Sequence, residues 1–546
     1  MPLVKLVAAD ETLNEMHHLS LDIPSSQDPP SVSKQAFIHR LPNELLADIF
    51  HLLIVDATKL NTVAVDDDSQ TYHPYSWVSI VHVCSRWSSI VDGTPTLWSH
   101  VAIVDDIMVN SIAVMLLRSG NTSLHLTACT VKHPVPDAFM ACMDIVLQEL
   151  PRLCSIDAQV PIACCATIIE SLLGLEPSHR LRSLILHSTS APFSSRDQVK
   201  PFHASAQSLA LETLIIQGFS VPQIDHFITR HANLREIDIM QFEDMPGMCS
   251  LLTVLSHLPL LESITLSSGN VGHDNNMPPS IPTVVLPHLR FLSLWLNLPC
   301  DALFIEHLIF PSTTKIDTVL CLFGTEATAG SLSALNVIVS KLKGSGVIGT
   351  PPILSSAQFA ANEESDVALV VHSEDCPDIL SPKFDDFCLR VSFHGNEFNC
   401  PPVDRRWALW QQLPLSNLKF VSLDDSAGAD MWKKIAEKLD HIEILHLRNT
   451  STFNSFGSLY LDSSPTASPG CFPSLHTLCI SVNLLLDAES GINGLMQYLR
   501  ICQVDGGLKK LIIRSSEDLD EAVILRIRGL VGELVLDRTT NELYAL

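Results

Sequence analysis

Positive charge is scarce in this chain. Over 546 residues, 34 Lys and Arg stand against 60 Asp and Glu, a formal net charge of −26. A field of that sign repels phosphate backbones and anionic lipid, so neither nucleic acid nor a membrane surface is an expected partner. Charge of either sign is sparse, at 17% of residues, whereas hydrophobic residues reach 46% and the mean hydropathy is +0.25. A chain this apolar has to bury much of itself, which excludes disorder over most of its length. Long apolar runs are missing all the same. Hydrophobic residues come in short bursts, and none approaches the roughly 18 residues that a membrane span needs. A soluble protein is expected.

Paired cysteines are missing as well. Fifteen cysteines are scattered along the chain with no C-x-x-C at zinc spacing. Cys388, His394 and Cys400 lie six apart, no H-E-x-x-H occurs, and no metal is expected. The vicinal pair Cys164-Cys165 sits in an apolar stretch and reads as core. The opening MPLVKLVAADETLNEMHH lacks the basic-then-apolar order of a signal peptide, so a reducing compartment is expected, cytoplasm and/or nucleus. The sequons at Asn121 and Asn449 then carry no weight. There is no G-x-S-x-G elbow. The run from Gly344 to Gly349 fits G-x-G-x-x-G, but that fingerprint needs a strand before it and a helix after it. Here helical Ala334–Lys343 precedes and Thr350-Pro351-Pro352 follows, so the run reads as a turn. Neither a cofactor nor a catalytic residue is expected.

What is present begins near residue 36. Residues 1–35, ending in SSQDPPSVSK, read as a loose leader. Then comes LPNELLADIFHLL, in which Pro42 suits a first helical turn and Glu44 complements a helix N-terminus. Leu45, Ile49, Leu52 and Leu53 recur at helical spacing as one apolar stripe. A polar insert, about 56–74, interrupts the pattern. A second helical stretch puts Trp77, Ile80, Val81, Cys84, Trp87, Ile90 and Val91 on one face, and Gly93 and Pro95 stop it before Leu97-Trp98.

These landmarks, Leu-Pro-x-Glu-Leu-Leu-x-x-Ile-Phe, then Val-Cys-x-x-Trp, then Pro-x-Leu-Trp, resemble the F-box, especially its form in large fungal families. The resemblance implies a helical domain over 36–102 that docks onto a Skp-type adaptor and through it a cullin. Carried over position by position, it places Leu41, Pro42, Leu45, Ile49, Phe50 and Trp87 in the adaptor-binding surface, with Trp98 packed inside. A module this small cannot bury all of those apolar side chains within itself.

The rest of the chain repeats. Leu-x-x-Leu-x-Leu, with Ile or Val allowed, begins at Leu181, Leu211, Leu234, Leu261, Leu289, Leu418, Ile442, Leu475 and Leu508. Fainter copies start at Leu153, Ile316 and Cys388. Each copy reads as one short strand whose fourth and sixth positions point inward, and stacking such units is what creates a core. The pattern resembles a leucine-rich repeat, although the Asn that this family carries at the ninth position occurs only at Asn297 and Asn483. The expected fold class is therefore α/β: a small helical module, then an irregular leucine-rich-repeat-type solenoid over 103–546, least regular at about 325–410.

Positions three, five and seven of each copy should line an exposed face. That face would run from an acidic end at Glu236, Asp238 and Met240, through an aromatic middle at Phe291, Ser293 and Trp295, then Phe420, Ser422, Asp424, Ile444, His446 and Arg448, to a basic end at Lys510, Ile512 and Arg514. Phe291, Trp295 and Arg448 are the substrate-binding candidates, since Trp and Arg are enriched in binding hot spots. The function implied is a non-catalytic substrate-recognition subunit of a Skp–cullin–F-box ubiquitin ligase that binds an unidentified target protein. The rival is an interaction scaffold with no ligase attached.

Overall fold

The computed structural model describes residues 37–59, 74–105, 107–173, 180–189, 210–219, 221, 224–241, 248–268, 281–296, 300–321, 324–350, 356–361, 367–372, 389–394, 417–424, 441–447, 456, 472, 474–481, 489–504, 508–514 and 521–537. The chain divides into two compact units, 1–246 and 247–546. Within the described residues no helix is long and apolar enough to cross a membrane. The leader 1–35 and residues 60–73 of the expected insert lie outside the described residues.

Unit one opens with helices. Helix α1 (Asn43–Lys59) follows Pro42, whose carbonyl accepts from the Leu46 N–H at 3.2 Å. Pro42 thus caps the helix instead of sitting in its first turn. The helix also runs four residues into the expected insert, to Lys59. The single helix expected over 77–91 is two pieces, a 3₁₀ segment at Ser76–His82 and α2 (Ser85–Asp92), because Cys84 between them is extended at φ −163°, ψ 163°. The break has a packing reason. One continuous helix would carry Trp77, Ile80, Ile90 and Val91 along a single line, whereas two segments wrap them around α1. All four close on Leu46, Phe50 and Ile54, with Leu97 and Trp98 from the turn Pro95–Trp98.

From Trp98 the chain enters strand β1 (His100–Val104). There follow α3 (Val109–Arg118), β2 (Leu124–Cys129), α4 (Asp137–Leu147), β3 (Leu153–Val160), α5 (Ile162–Leu173), β4 (Ser183–Ser188), β5 (Thr213–Gln217), α6 (Ile224–Ile228) and β6 (Glu236–Gln241). The six strands pair in parallel in chain order, so Val101, Leu126, Ile156, Leu184, Leu214 and Ile237 stand side by side and buried. Parallel neighbours need crossover connections, and three helices supply them: α3 and α4 pack against β1, and α5 packs against β3 and β4. The faint copy at Leu153 is a full strand. Three residues before Val101, Trp98 fills the place that a leucine takes in later copies.

Unit two begins with α7 (Met248–Leu255), β7 (Ser263–Ser268), β8 (Val284–Val285), β9 (Phe291–Leu296), α8 (Cys300–His307), β10 (Leu308–Pro311) and β11 (Lys315–Cys321). It continues with α9 (Gly324–Leu342), β12 (Val347–Ile348), β13 (Ser356–Ala361), β14 (Val367–His372), β15 (Leu389–His394), β16 (Phe420–Asp424) and β17 (Ile444–Leu447). Last come β18 (Thr477–Ser481), α10 (Glu489–Val504), β19 (Lys510–Arg514), α11 (Glu521–Arg528) and β20 (Glu533–Asp537). Strands β7, β9, β11 and β15 pair in parallel, as do β16 to β20. Between the two runs β14 lies antiparallel to both β15 and β13, and β13 returns to parallel pairing with β16. That inserted hairpin is why the stretch 325–410 resists the repeat. Strands β8, β10 and β12 form a separate three-stranded parallel sheet.

The first, fourth and sixth positions of all nine clear copies are buried. Two of the faint copies are out of register with their reading. Ile316 pairs with Leu292, a fourth position, and Leu389 pairs with Ile316, so neither Ile316 nor Cys388 is a first position. Ahead of β11, polar Thr314 is buried, and its hydroxyl donates to the Leu289 carbonyl at 2.8 Å. Thr318, opposite the sixth-position Leu294, is also buried and polar, and it hid the frame that apolar spacing would have revealed. Asn297 and Asn483 lie outside the described residues.

Candidate functional site

Helix α1 is apolar on two sides. Leu46, Phe50, Ile54 and Ala57 face the module core. Leu45, Ile49, Leu52 and Leu53, offset from those by about a quarter turn, are 49%, 38%, 63% and 49% exposed. A surface helix ordinarily carries polar residues where this second stripe stands. Covering four half-exposed aliphatic side chains would release about 1 kcal/mol apiece. Pro42 extends the exposed stripe at its N-terminal end, and Leu41 is half-buried against the core. Phe50, expected in the docking surface, is 1% exposed and belongs to the inner face. Its ring lies 5.1 Å from that of half-buried Trp87, so Trp87 supports α1 from beneath through Phe50.

Residues beyond the stripe hold it in place. Arg86 donates to Asn43 Oδ1 from Nε at 3.0 Å and from Nη2 at 2.8 Å, and Nη2 also donates to the Leu41 carbonyl. The Leu-Pro turn is therefore clamped from α2. Trp98 lies inside, its ring edge-on to Trp77 at 5.3 Å, with Nε1 donating to the Val91 carbonyl at 2.9 Å. Arg118 lies over the Trp98 ring, 4.3 Å from its centroid, and pairs with Asp92 at 3.2 Å. The Tyr75 hydroxyl accepts from the Ala102 N–H at 2.9 Å and donates to the Ala102 carbonyl, satisfying both backbone groups on β1. Neither Arg86 nor Tyr75 is conspicuous in the sequence, since each acts through a backbone or amide group far along the chain.

Three histidines line the join between α1 and the strands. His51 Nε2 and His100 Nε2 are 3.2 Å apart, and His100 stacks on His125 at 4.7 Å. Burial, with His125 and His51 adding repulsion, holds His100 down to about 4. Among the described residues no group of three His, Cys, Asp or Glu has the geometry to hold a metal ion.

The strand face departs from its sequence reading in unit two. Trp295 is 43% exposed and Phe291 half-buried, both on β9, so these two candidates share one strand face. Arg448, the third, lies outside the described residues. Phe420, Ser422 and His446, read as exposed, are buried. The reason is internal pairing: His446 Nε2 lies 2.8 Å from Ser481 Oγ and Nδ1 lies 3.4 Å from Ser422 Oγ. Arg514, at the end read as basic, is held by Asp537 at 3.0 Å.

The glycine run is a turn between α9 and β12, with Gly344, Gly346 and Gly349 at φ 99°, 63° and 100°. The buried Lys341 donates to the Leu308 carbonyl there at 2.6 Å. Cys164 and Cys165 are buried in α5, and burial raises both thiols, Cys164 to about 11.

A protein-family model described as F-box-like matches residues 38–104. The helical module with its outward stripe is therefore an F-box-like domain. No curated protein matches the chain. Domains of this kind generally bind Skp-type adaptors, and the proteins that carry them typically serve ubiquitin ligases as non-catalytic substrate adaptors.

Proposed function

We propose that this chain is the substrate-recognition subunit of a Skp–cullin–F-box ubiquitin ligase. In this reading Pro42, Leu45, Ile49, Leu52 and Leu53 dock onto a Skp-type adaptor, which links the chain to a cullin. The strands within each unit stack as irregular leucine-rich-repeat-type copies, and these hold a target protein, in the cytoplasm or nucleus. No bond chemistry falls to the chain itself. It acts by raising the effective concentration of the target beside a ubiquitin-charged enzyme.

The observation that carries this reading is the second apolar stripe of α1, left exposed inside an F-box-like domain. Surplus apolar surface of this kind marks a partner site. The regular burial of positions one, four and six supports the repeat reading of the strands, because no single copy closes a core alone. Co-purification of the full chain with a Skp-type adaptor and a cullin tests the assignment. Recovery of all three in one species is the expected result. A folded chain that recovers neither would leave a scaffold without a ligase.

A further inference from the structure

A cavity of about 540 Å³ opens over the C-terminal ends of β3 to β6 in unit one, lined by residues that include Asp157, Gln159, His187, Gln217, Gly218 and Met240. Two rungs of strand register organise it. Asp157, Ile185, Ile215 and Asp238 stand opposite one another in the fifth position of successive strands, and Gln159, His187, Gln217 and Met240 in the seventh. Neighbouring strands are about 4.8 Å apart, so two carboxylates bracket two half-buried isoleucines across about 14 Å.

The polar groups are ordered. Gln217 Nε2 donates to Asp238 Oδ2 at 2.9 Å, which leaves Gln217 Oε1 to accept from His187 Nδ1 at 2.9 Å. Asp238 is thereby oriented, and its Oδ1 is buried with no hydrogen-bond partner. Asp157, at the far side and lining the cavity, accepts no hydrogen bond among the described residues. Burial raises both carboxyls, against the opposing pull of nearby His187. Gly218 brings the backbone close: its φ is 82°, and a Cβ there would lie 3.1 Å from the Ser188 carbonyl oxygen.

We infer that this cavity receives an arginine or lysine side chain of the target polypeptide. The inference rests on the reading of the chain as a target-binding subunit and names what it recognises. A long cationic side chain combines the two things that the rungs offer to meet. Its methylene stem covers Ile185 and Ile215, and its head supplies the donors that Asp157 lacks. An acidic group would face two carboxylates and a net charge of −26.

The probe is Nα-acetyl-arginine N-methylamide, whose backbone is uncharged, with the citrulline analogue as the isosteric neutral control. Saturation transfer from the full chain to the side-chain methylenes is measured by NMR for wild type, Asp157→Asn and Asp157→Asn/Asp238→Asn. Wild type is expected to bind the arginine probe about tenfold more tightly than the citrulline probe, and the double variant to lose that preference. Equal binding of the two probes by wild type overturns the inference without any variant. So does a folded double variant that keeps the preference. Adaptor capture by the same preparations is read separately: its loss speaks against the ligase assignment and leaves the arginine result standing.

Discussion

Arg86 and Asn43 are 43 residues apart in the chain and joined by two hydrogen bonds, at 3.0 and 2.8 Å, to the same side-chain oxygen. A third bond from Arg86 takes the Leu41 carbonyl. The turn that starts α1 is thus fixed by a residue of α2, and the outward stripe inherits its orientation from that clamp. Arg86→Ala is expected to lower unfolding stability by about 1 kcal/mol and to weaken adaptor capture. Arg86→Lys should rescue little, because an ammonium cannot reproduce the guanidinium fork. Denaturant titration alongside adaptor binding checks both statements. Full adaptor affinity in a destabilised Arg86→Ala chain would separate the clamp from docking.

The two faces of α1 make opposite predictions. Phe50→Ala removes a side chain that is 1% exposed and should cost about 3–5 kcal/mol of unfolding stability. Leu52→Ala removes one that is 63% exposed and should change stability by no more than about 0.5 kcal/mol. Thermal and urea unfolding of the two variants measure the contrast. Equal losses would mean that the outer stripe is packed in the free chain.

Tyr75 closes the backbone of β1 at Ala102, and burial pushes its phenol up. Tyr75→Phe leaves a buried N–H and carbonyl unpaired. The expected cost is about 1–3 kcal/mol, measured as a shift of the urea midpoint with unchanged slope.

Acid should loosen the same join. His100 is held to about 4 in the folded chain against an ordinary 6.5, first by burial and then by His125 and His51. Between those values the unfolded state binds the proton and the folded state does not, so stability falls as the pH drops from about 6.5 toward 4 and is level above 6.5. In His100→Gln that part of the pH dependence should vanish. Urea unfolding at pH 7.0, 5.5 and 4.5 gives the wild-type minus variant difference, which is expected to shrink as the pH falls.

Much of this was legible in the sequence, and the parts that were not share a cause. Apolar spacing located α1 and all nine clear strand copies, because each copy repeats a side-chain period that burial enforces. The same spacing marked Leu45, Ile49, Leu52 and Leu53 as a stripe. Which of two apolar faces turns inward, Phe50's or Leu45's, depends on where Trp77, Ile90 and Trp98 pack, and that is tertiary information. The copy at β11 falls out of frame because Thr318, opposite the sixth-position Leu294, is a buried polar residue where an apolar one is sought. Exposure of Ser422 and His446 followed from strand alternation alone, which is blind to pairing across β16, β17 and β18. The Asp157 and Asp238 rung was invisible for the same reason: register across four strands unites residues 81 positions apart.

The most direct test of the account is the affinity of the full chain for a purified Skp-type adaptor, wild type against Leu45→Asp/Leu52→Asp, by isothermal titration calorimetry. Both substitutions lie on the exposed stripe, so the variant should unfold at the wild-type temperature. Burying two unpaired carboxylates in an apolar interface should cost at least about 3 kcal/mol, a loss of more than a hundredfold in affinity. Wild-type binding that disappears in a fully folded variant is the predicted result. A variant that binds as tightly as wild type would contradict the docking face assigned to α1, and a folded wild type that binds no adaptor would contradict the ligase assignment itself.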